Sequence, residues 1–223
     1  MSRCNSYDFE SQPLLVVISG PSGAGKDSLV KALLRRDSGL RRVVTTTDRP
    51  PRPDEREGLD YYFVSTAEFE RLIAQRELVE WAIVYDQYKG ITHWELGRAL
   101  QSGQDVVVRV DVQGAATIRA LMPQAILIFL APPSEAEMIR RLRERGGDSE
   151  EQVENRIGTA REEMSHLEEF EYLVINHQGQ LDEAVEQIEA ILVAERCRIG
   201  RERMPSLTSV SSAAIIQATG AGE

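Results

Sequence analysis

Seven consecutive residues, Gly20-Pro21-Ser22-Gly23-Ala24-Gly25-Lys26, carry the G-x-x-x-x-G-K spacing of a phosphate-binding loop. Small residues there let backbone N–H groups curl around a phosphate, and the start of a following helix adds partial positive charge. Lys26 supplies a mobile cation for the outer phosphates of a nucleotide. Asp27 stands where Ser or Thr usually follows the lysine, and Ser28 comes one place later. Arginines form two further groups. In Arg49-Pro50-Pro51-Arg52 the prolines stiffen a loop that presents two guanidinium forks, which suit a phosphate monoester. Arg140, Arg141, Arg143 and Arg145 precede Gly146-Gly147, with Arg141 and Arg145 four apart on one helix face and Arg156 beyond the break. They read either as a solvated face or as pieces of a lid closing over phosphates.

Two carboxylates sit where strands meet chemistry. Asp111 ends the run Val106–Val110 and suits either magnesium or substrate at a strand's carboxyl edge, or the N-cap of a helix reaching Gly114. Glu80 beside Trp81 is either held by a partner or partly exposed at a strand edge. His93, His166 and His177 lack triad or ligand spacing and read as surface or capping residues.

Elements must position these groups. The apolar runs Leu14–Ser19, Val106–Val110, Ala125–Leu130 and Tyr172–Ile175 read as buried parallel strands, with Arg109 their one charged interruption. Helical patterns lie between them, at Ser28–Arg36 and Gly114–Leu121. In Glu150–Leu167, Val153, Ile157, Ala160, Met164 and Leu167 make one stripe, with Asp148 and Ser149 as caps. Leu181, Val185, Ile188 and Leu192 form another stripe. The alternation predicts a doubly wound three-layer α/β core that binds ligands at the carboxyl ends of its strands. Residues 44–94 interrupt it. The stretch Thr45–Arg56 reads as a binding loop, Tyr61–Val64 as a strand, Thr66–Ala74 as a helix and Val79–Val84 as a strand, together an inserted substrate lobe.

The chain has 223 residues and a net charge of −10, enough length for one such domain and the wrong sign for a general nucleic-acid binder. Local arginine clusters still hold small anions in an acidic protein. Cys4 and Cys197 have no metal-ligand or disulfide spacing and read as reduced thiols. Residues 1–13 lack an apolar signal region, and no stretch approaches the ~18 apolar residues of a membrane span, so a cytoplasmic protein is expected. The Ser-, Ala- and Gly-rich stretch 199–223 reads as a disordered tail, with Ala213–Ala218 as a transient helix.

Taken with Gly58-Leu59-Asp60-Tyr61, Glu80-Trp81-Ala82, Asp111-Val112-Gln113-Gly114, Ile128-Phe129-Leu130-Ala131-Pro132-Pro133 and Val174-Ile175-Asn176, the loop and Arg49-Pro50-Pro51-Arg52-Pro53 stand in the order of one family. From about Leu14 to Cys197 the chain resembles the guanylate kinases. The resemblance implies a P-loop α/β/α core over 12–43, 95–131 and 160–198, a mixed α+β GMP-binding lobe over 44–94 and a small helical lid over 132–159. It implies ATP-dependent phosphorylation of GMP, and of dGMP, by in-line transfer. Gly20, Pro21, Ser22, Gly23, Ala24, Gly25, Lys26, Asp27 and Ser28 would hold ATP, with Asn176 near the adenine. Arg49, Arg52, Tyr61 and Lys89 would hold the GMP phosphate, while Thr45, Glu80 and Asp111 would read the guanine edge. Lys26, Arg141, Arg145 and Arg156 would act on the transferred group. Mg2+ would be bound mainly through the ATP phosphates, with Ser28 as a protein ligand. The implied partners are small molecules, with no nucleic acid and no membrane.

Asp27, Asp48, Tyr88-Lys89-Gly90-Ile91 and Arg109 depart from the family's usual residues; the position of Arg109 is commonly acidic. Two rivals share the scaffold: a ribose 1,5-bisphosphate phosphokinase, whose loop also resembles Gly-Lys-Asp-Ser, and a non-catalytic module that binds phosphopeptides. A ribose phosphate has no base edge for Glu80 and Asp111 to read, and such modules typically lack a working phosphate loop.

Overall fold

A computed structural model describes residues 13–37, 39–84, 87–144 and 149–199. Cys4, Arg145, the Gly146-Gly147 break, Asp148 and all but the first residue of the 199–223 segment lie outside them. In chain order the first elements are β1 (Leu15–Ser19), α1 (Lys26–Arg36), β2 (Leu40–Arg42), β3 (Thr45–Thr47), β4 (Tyr61–Phe63) and α2 (Thr66–Ala74). Next come β5 (Leu78–Ile83), β6 (Tyr88–Thr92), α3 (His93–Leu100), β7 (Asp105–Arg109) and α4 (Val112–Leu121). The last are β8 (Ile126–Ala131), α5 (Glu135–Glu144), α6 (Glu150–Ser165), β9 (Tyr172–Ile175) and α7 (Leu181–Arg196), with a short 3-10 turn at Leu167–Glu169.

The core sheet is wholly parallel, in the order β2-β7-β1-β8-β9. Its strands alternate sides, and both sides are covered. Val16, Ile18, Val107 and Ile128 pack with Leu29, Leu33, Val185 and Ile188 of α1 and α7. Leu15, Val17, Val106 and Val108 pack with Leu96, Ala99, Ala115 and Ile118 of α3 and α4. Burial on two faces is why these strands read as unbroken apolar runs. Their carboxyl ends converge on the loop after β1, where the expected three-layer α/β fold places a ligand.

A second, mixed sheet, β4-β3-β6-β5, forms the inserted lobe. Here the structure corrects the expectation of a threonine-rich loop. Thr45–Thr47 are buried and form β3, parallel to β4 and antiparallel to β6. Their β-branched side chains favour extended backbone, which outweighs the polarity of the hydroxyls. Thr47 Oγ1 is matched by the Tyr88 carbonyl at 2.8 Å. The short strand β2, the strand β6 and the helix α3 lie outside the elements expected from the sequence. α3 starts immediately after β6, with Thr92 as its N-cap on the Glu95 N–H.

α5 and α6 share a small apolar cluster of their own, Met138, Leu142, Val153, Ile157 and Ala160. Ser149 caps α6 in a reciprocal capping box with Gln152. The stripe expected through Leu167 divides. The helix stops at Ser165, and Met164 and Leu167 turn instead to Val112, Phe129 and Ile175 at the end of the core sheet.

Candidate active site

The loop between β1 and α1 is shaped by close approaches that only glycine permits. A Cβ on Gly20, at φ +133°, would lie 2.0 Å from the Leu130 carbonyl oxygen. One on Gly25, at φ +92°, would lie 2.5 Å from Asn176 Nδ2. That amide donates to the Ala24 carbonyl at 2.8 Å, and Asn176 is buried behind the loop rather than lining the cleft in front of it. Gly20 and Ala24 likewise serve the loop's backbone and do not line the cleft. Lys26 Nζ is folded onto the carbonyls of Gly20 and Pro21. Burial lowers its pKa, and the nearby Glu163 carboxylate opposes that shift. Pro21, Ser22, Gly23, Gly25, Lys26, Asp27 and Ser28 form one wall of a cleft of about 460 Å3.

The inserted lobe supplies the facing wall, with Thr45, Arg49, Arg52, Tyr61, Glu80 and Lys89. Arg49 is 8 % exposed and forks onto Glu55, with Nη1 to Oε2 at 2.7 Å and Nη2 to Oε1 at 2.5 Å. Its guanidinium carbon sits 4.7 Å from the centre of the Tyr61 ring. Glu55 also accepts from the Arg52 N–H at 2.9 Å, so one carboxylate organises the whole proline-arginine loop. Lys89, on β6, has its pKa lowered to about 8 by burial and by the cations Arg109, Lys26 and Arg49.

Glu80 and Asp111 meet at the floor. Glu80 is 4 % exposed, and burial, then the neighbouring Asp111 charge, push its carboxyl well above the usual range. Asp111 Oδ1 caps α4 by accepting the Gly114 N–H at 2.8 Å, while the residue also lines the cleft. Capping and facing the cleft are therefore not alternatives. Gly114 is where α4 touches Glu80: a Cβ there would lie 2.7 Å from Glu80 Oε2.

The arginine-rich segment splits by function. Arg140 pairs with Glu137 and Glu144, and Arg143 with Glu150 and Glu154, on the solvated side. Arg141 turns inward: Nε reaches Glu137 at 2.7 Å and Nη2 donates to the Asn176 carbonyl at 2.8 Å, beside the loop. Arg141 and Arg156 both line the cleft. Among the lining residues not expected at the site are Glu163 and Arg109. Glu163, near the end of α6, accepts the Ser22 N–H at 3.0 Å, and burial raises its pKa. Nothing in its local sequence marks it. Arg109 carried a signal, a charge at the end of an apolar strand, whose meaning lay in contacts that only the fold makes.

A family model described as guanylate kinase matches residues 12–195. That span covers the phosphate loop, both sheets and the helices α1 to α6. The chain belongs to the guanylate kinase family. It is 43 % identical over 189 residues to guanylate kinase 2, chloroplastic/mitochondrial, of Oryza sativa, with 84 % of this chain and 66 % of that protein covered. Against the guanylate kinase of Caldanaerobacter subterraneus it is 41 % identical over 195 residues, with 87 % and 94 % covered. The crystal structure of guanylate kinase from Anaplasma phagocytophilum superposes with a TM-score of 0.69 at 28 % identity, covering 96 % of this chain and 98 % of that one.

As a guanylate kinase the chain departs from the common pattern at positions that the fold connects. Asp27, after the loop lysine, lies 3.1 Å from Arg109, which replaces the usual acid at the end of β7. Asp48 spans the lobe, accepting from the Tyr88 N–H at 2.8 Å and the Thr66 hydroxyl at 3.0 Å. Ile91 is fully buried against the core. A hydroxyl there would face apolar neighbours rather than the cleft.

Proposed function

We propose that this chain transfers the γ-phosphoryl group of ATP to the phosphate of GMP or dGMP, forming ADP and the nucleoside diphosphate. The observation that carries this reading is the spacing of functions across one cleft. A phosphate loop with Lys26 faces a guanidinium–tyrosine grip, and buried Glu80 with half-buried Asp111 closes the floor. Guanine presents N1–H and an exocyclic amine, both donors, to Glu80 and Asp111, with Thr45 beside them. Adenine lacks that donor pattern and would leave buried acceptors unmatched, which is how such a floor discriminates.

In the transfer the cleft-lining part of the loop, Pro21–Gly23 and Gly25–Ser28, holds the ATP phosphates with its backbone N–H groups and the Lys26 ammonium, once Lys26 leaves the carbonyls of Gly20 and Pro21. Arg49, held by Glu55, works with Arg52, Tyr61 and Lys89 to fix the acceptor phosphate in line. Arg141 and Arg156 approach from the lid, and Arg145, expected to act with them, lies outside the described residues. Asn176 supports the loop from behind. Phosphoryl transfer asks mainly for alignment and charge neutralisation, so no covalent nucleophile is needed. The first turn of α1 presents Ser28, a hard oxygen donor that fits Mg2+ bound mainly by the ATP phosphates. When bound, the ion neutralises charge on the outer phosphates. The division into core, GMP lobe and lid at about 44–94 and 132–159 belongs to this reading, and the separate apolar clusters of the lobe and lid support it. So does action in the cytoplasm on small molecules. Among the described residues no helix is long and apolar enough to cross a membrane.

ADP release from Mg-ATP, with GMP, dGMP, AMP or ribose 1,5-bisphosphate offered separately, tests the reading. ADP is expected with the guanine nucleotides alone. Turnover with the ribose compound would reassign Glu80 and Asp111, and no turnover with any acceptor would make the cleft a binding module.

A further inference from the structure

Arg109 ends β7, next to Ile18 of β1, so its side chain enters the cleft at the foot of the phosphate loop. It touches both walls. Nη2 donates to the Tyr61 hydroxyl at 2.8 Å, and Nη1 reaches Asp27 Oδ2 at 3.4 Å. Nε lies 3.1 Å from Asp27 Oδ1 but is buried without a hydrogen-bond acceptor among the described residues. The side chain is 11 % exposed. A guanidinium has five N–H donors in a fixed fork, and here one good bond and one long one leave donating capacity unspent in a place largely shut off from water. Buried donors of that kind are costly unless a ligand supplies acceptors.

The two residues that Arg109 touches belong to opposite ends of the reaction. Asp27 directly follows Lys26, which addresses the donor phosphates, and Tyr61 stacks beneath Arg49, which addresses the acceptor phosphate. We propose that Arg109 is a further catalytic residue of this chain, donating to the phosphoryl group while it passes from donor to acceptor, with Asp27 and Tyr61 as the positioning residues that hold its fork across that path. The proposal rests on the GMP kinase reading. The bond from the γ-phosphorus to its bridging oxygen breaks and one to an oxygen of the acceptor phosphate forms. Arg109 gives up no proton and remains charged throughout, so the balance of the reaction is unchanged. The arrangement also gives two departures from the family pattern a common cause. A permanent cation set among Lys26, Arg49 and Lys89 needs an anion to hold it, and the carboxylate that replaces the loop hydroxyl supplies it.

Wild type, Arg109→Met and Arg109→Lys are compared in turnover and in binding of an adenosine–guanosine compound joined 5′ to 5′ by five phosphates, which spans both subsites. Arg109→Met is expected to lower kcat by about a hundredfold or more, as loss of a transition-state donor does. The KM values for ATP and GMP should each stay within about fivefold. It should bind the bridging compound about tenfold more weakly while ADP alone and GMP alone bind as in the wild type, and Arg109→Lys should fall between because an ammonium cannot fork. A kcat near that of the wild type, or a loss confined to GMP affinity, overturns the proposal. If the wild type itself fails to phosphorylate GMP, the functional reading fails, and the binding comparison still decides the role of Arg109: equal affinity for the bridging compound refutes it. Circular dichroism checks folding, and Arg109→Lys carries the test if Arg109→Met does not fold.

Discussion

A lysine whose pKa has fallen to about 8 titrates within the range where an enzyme is assayed. Lys89 is in that position because burial and the cations Arg109, Lys26 and Arg49 disfavour its charge, with Asp27 opposing. Its ordinary pKa is 10.5, so between about pH 8 and 10.5 the unfolded chain binds the extra proton and the folded one does not. The charged form is thus the strained one, and its cost, fully present below about pH 8, is relieved as pH rises. A phosphate dianion in the cleft reverses this by restoring the charge. We therefore expect kcat/KM for GMP to decline as pH rises past about 8, because kcat/KM reports groups of the free enzyme. Lys89→Arg, which stays charged, should flatten that decline. An identical slope in the variant would assign the titration to another group. Glu80 is the complementary case at this scale. Burial, then the neighbouring Asp111 charge, push its carboxyl well above the usual range, and the N–H donors of a bound guanine would favour the charged form, so base recognition and proton affinity are linked at one residue.

At the scale of elements, the floor of the cleft depends on how tightly α4 seats against β5. Gly114 lets the helix approach Glu80 to a distance that a methyl group would block, and the Cβ would also meet Val110 Cβ at 2.9 Å. Gly114→Ala should cost stability by about 1–3 kcal/mol, as overpacking does, and displace Glu80 from the guanine subsite. The expected result is a lower melting temperature together with a GMP KM raised by about tenfold or more, while the KM for ATP changes little. A raised KM for both nucleotides in equal measure would point to general loosening instead. The same scale explains what the chain did not disclose locally. Thr45–Thr47 is too short for a periodic signal, and becomes a strand because β4 and β6 flank it. Met164 and Leu167 continue the stripe of α6 by spacing but pack on a different body.

For the molecule as a whole, charge and packing both organise around the cleft. The net charge is −10, yet Lys26, Arg49, Arg52, Lys89, Arg109, Arg141 and Arg156 gather on a single concavity. Focusing cations in a cleft attracts anionic substrates that the rest of the surface repels. The inserted lobe keeps a cluster of Phe69, Leu72 and Leu78, and α5 and α6 keep one around Met138 and Ile157, while Val79 and Ile91 of the lobe and Met164 of α6 pack on the core. In the GMP kinase reading proposed above, units that keep part of their apolar packing to themselves shift against the core around a few shared contacts. Closure over both substrates also keeps water from the transferring group. The radius of gyration in small-angle X-ray scattering should therefore fall when the bridging adenosine–guanosine compound binds, and less with ADP alone. An unchanged radius would mean that the cleft is already closed.

What lies close in sequence was determined by sequence. The loop spacing, the apolar runs of the core strands, the helix Thr66–Ala74 and the Ser149 cap all depend on neighbours within a few residues, where backbone sterics and hydrophobic periodicity act. Tertiary structure decided what each charge is for. Arg109 meets Asp27 across 82 residues, and Glu163 meets Ser22 across 141. Arg140, Arg141 and Arg143 look alike in the chain and divide only when α5 turns one of them toward the loop. A charged group takes its energy from its desolvation and from the charges around it, and both are set by residues that only folding brings together.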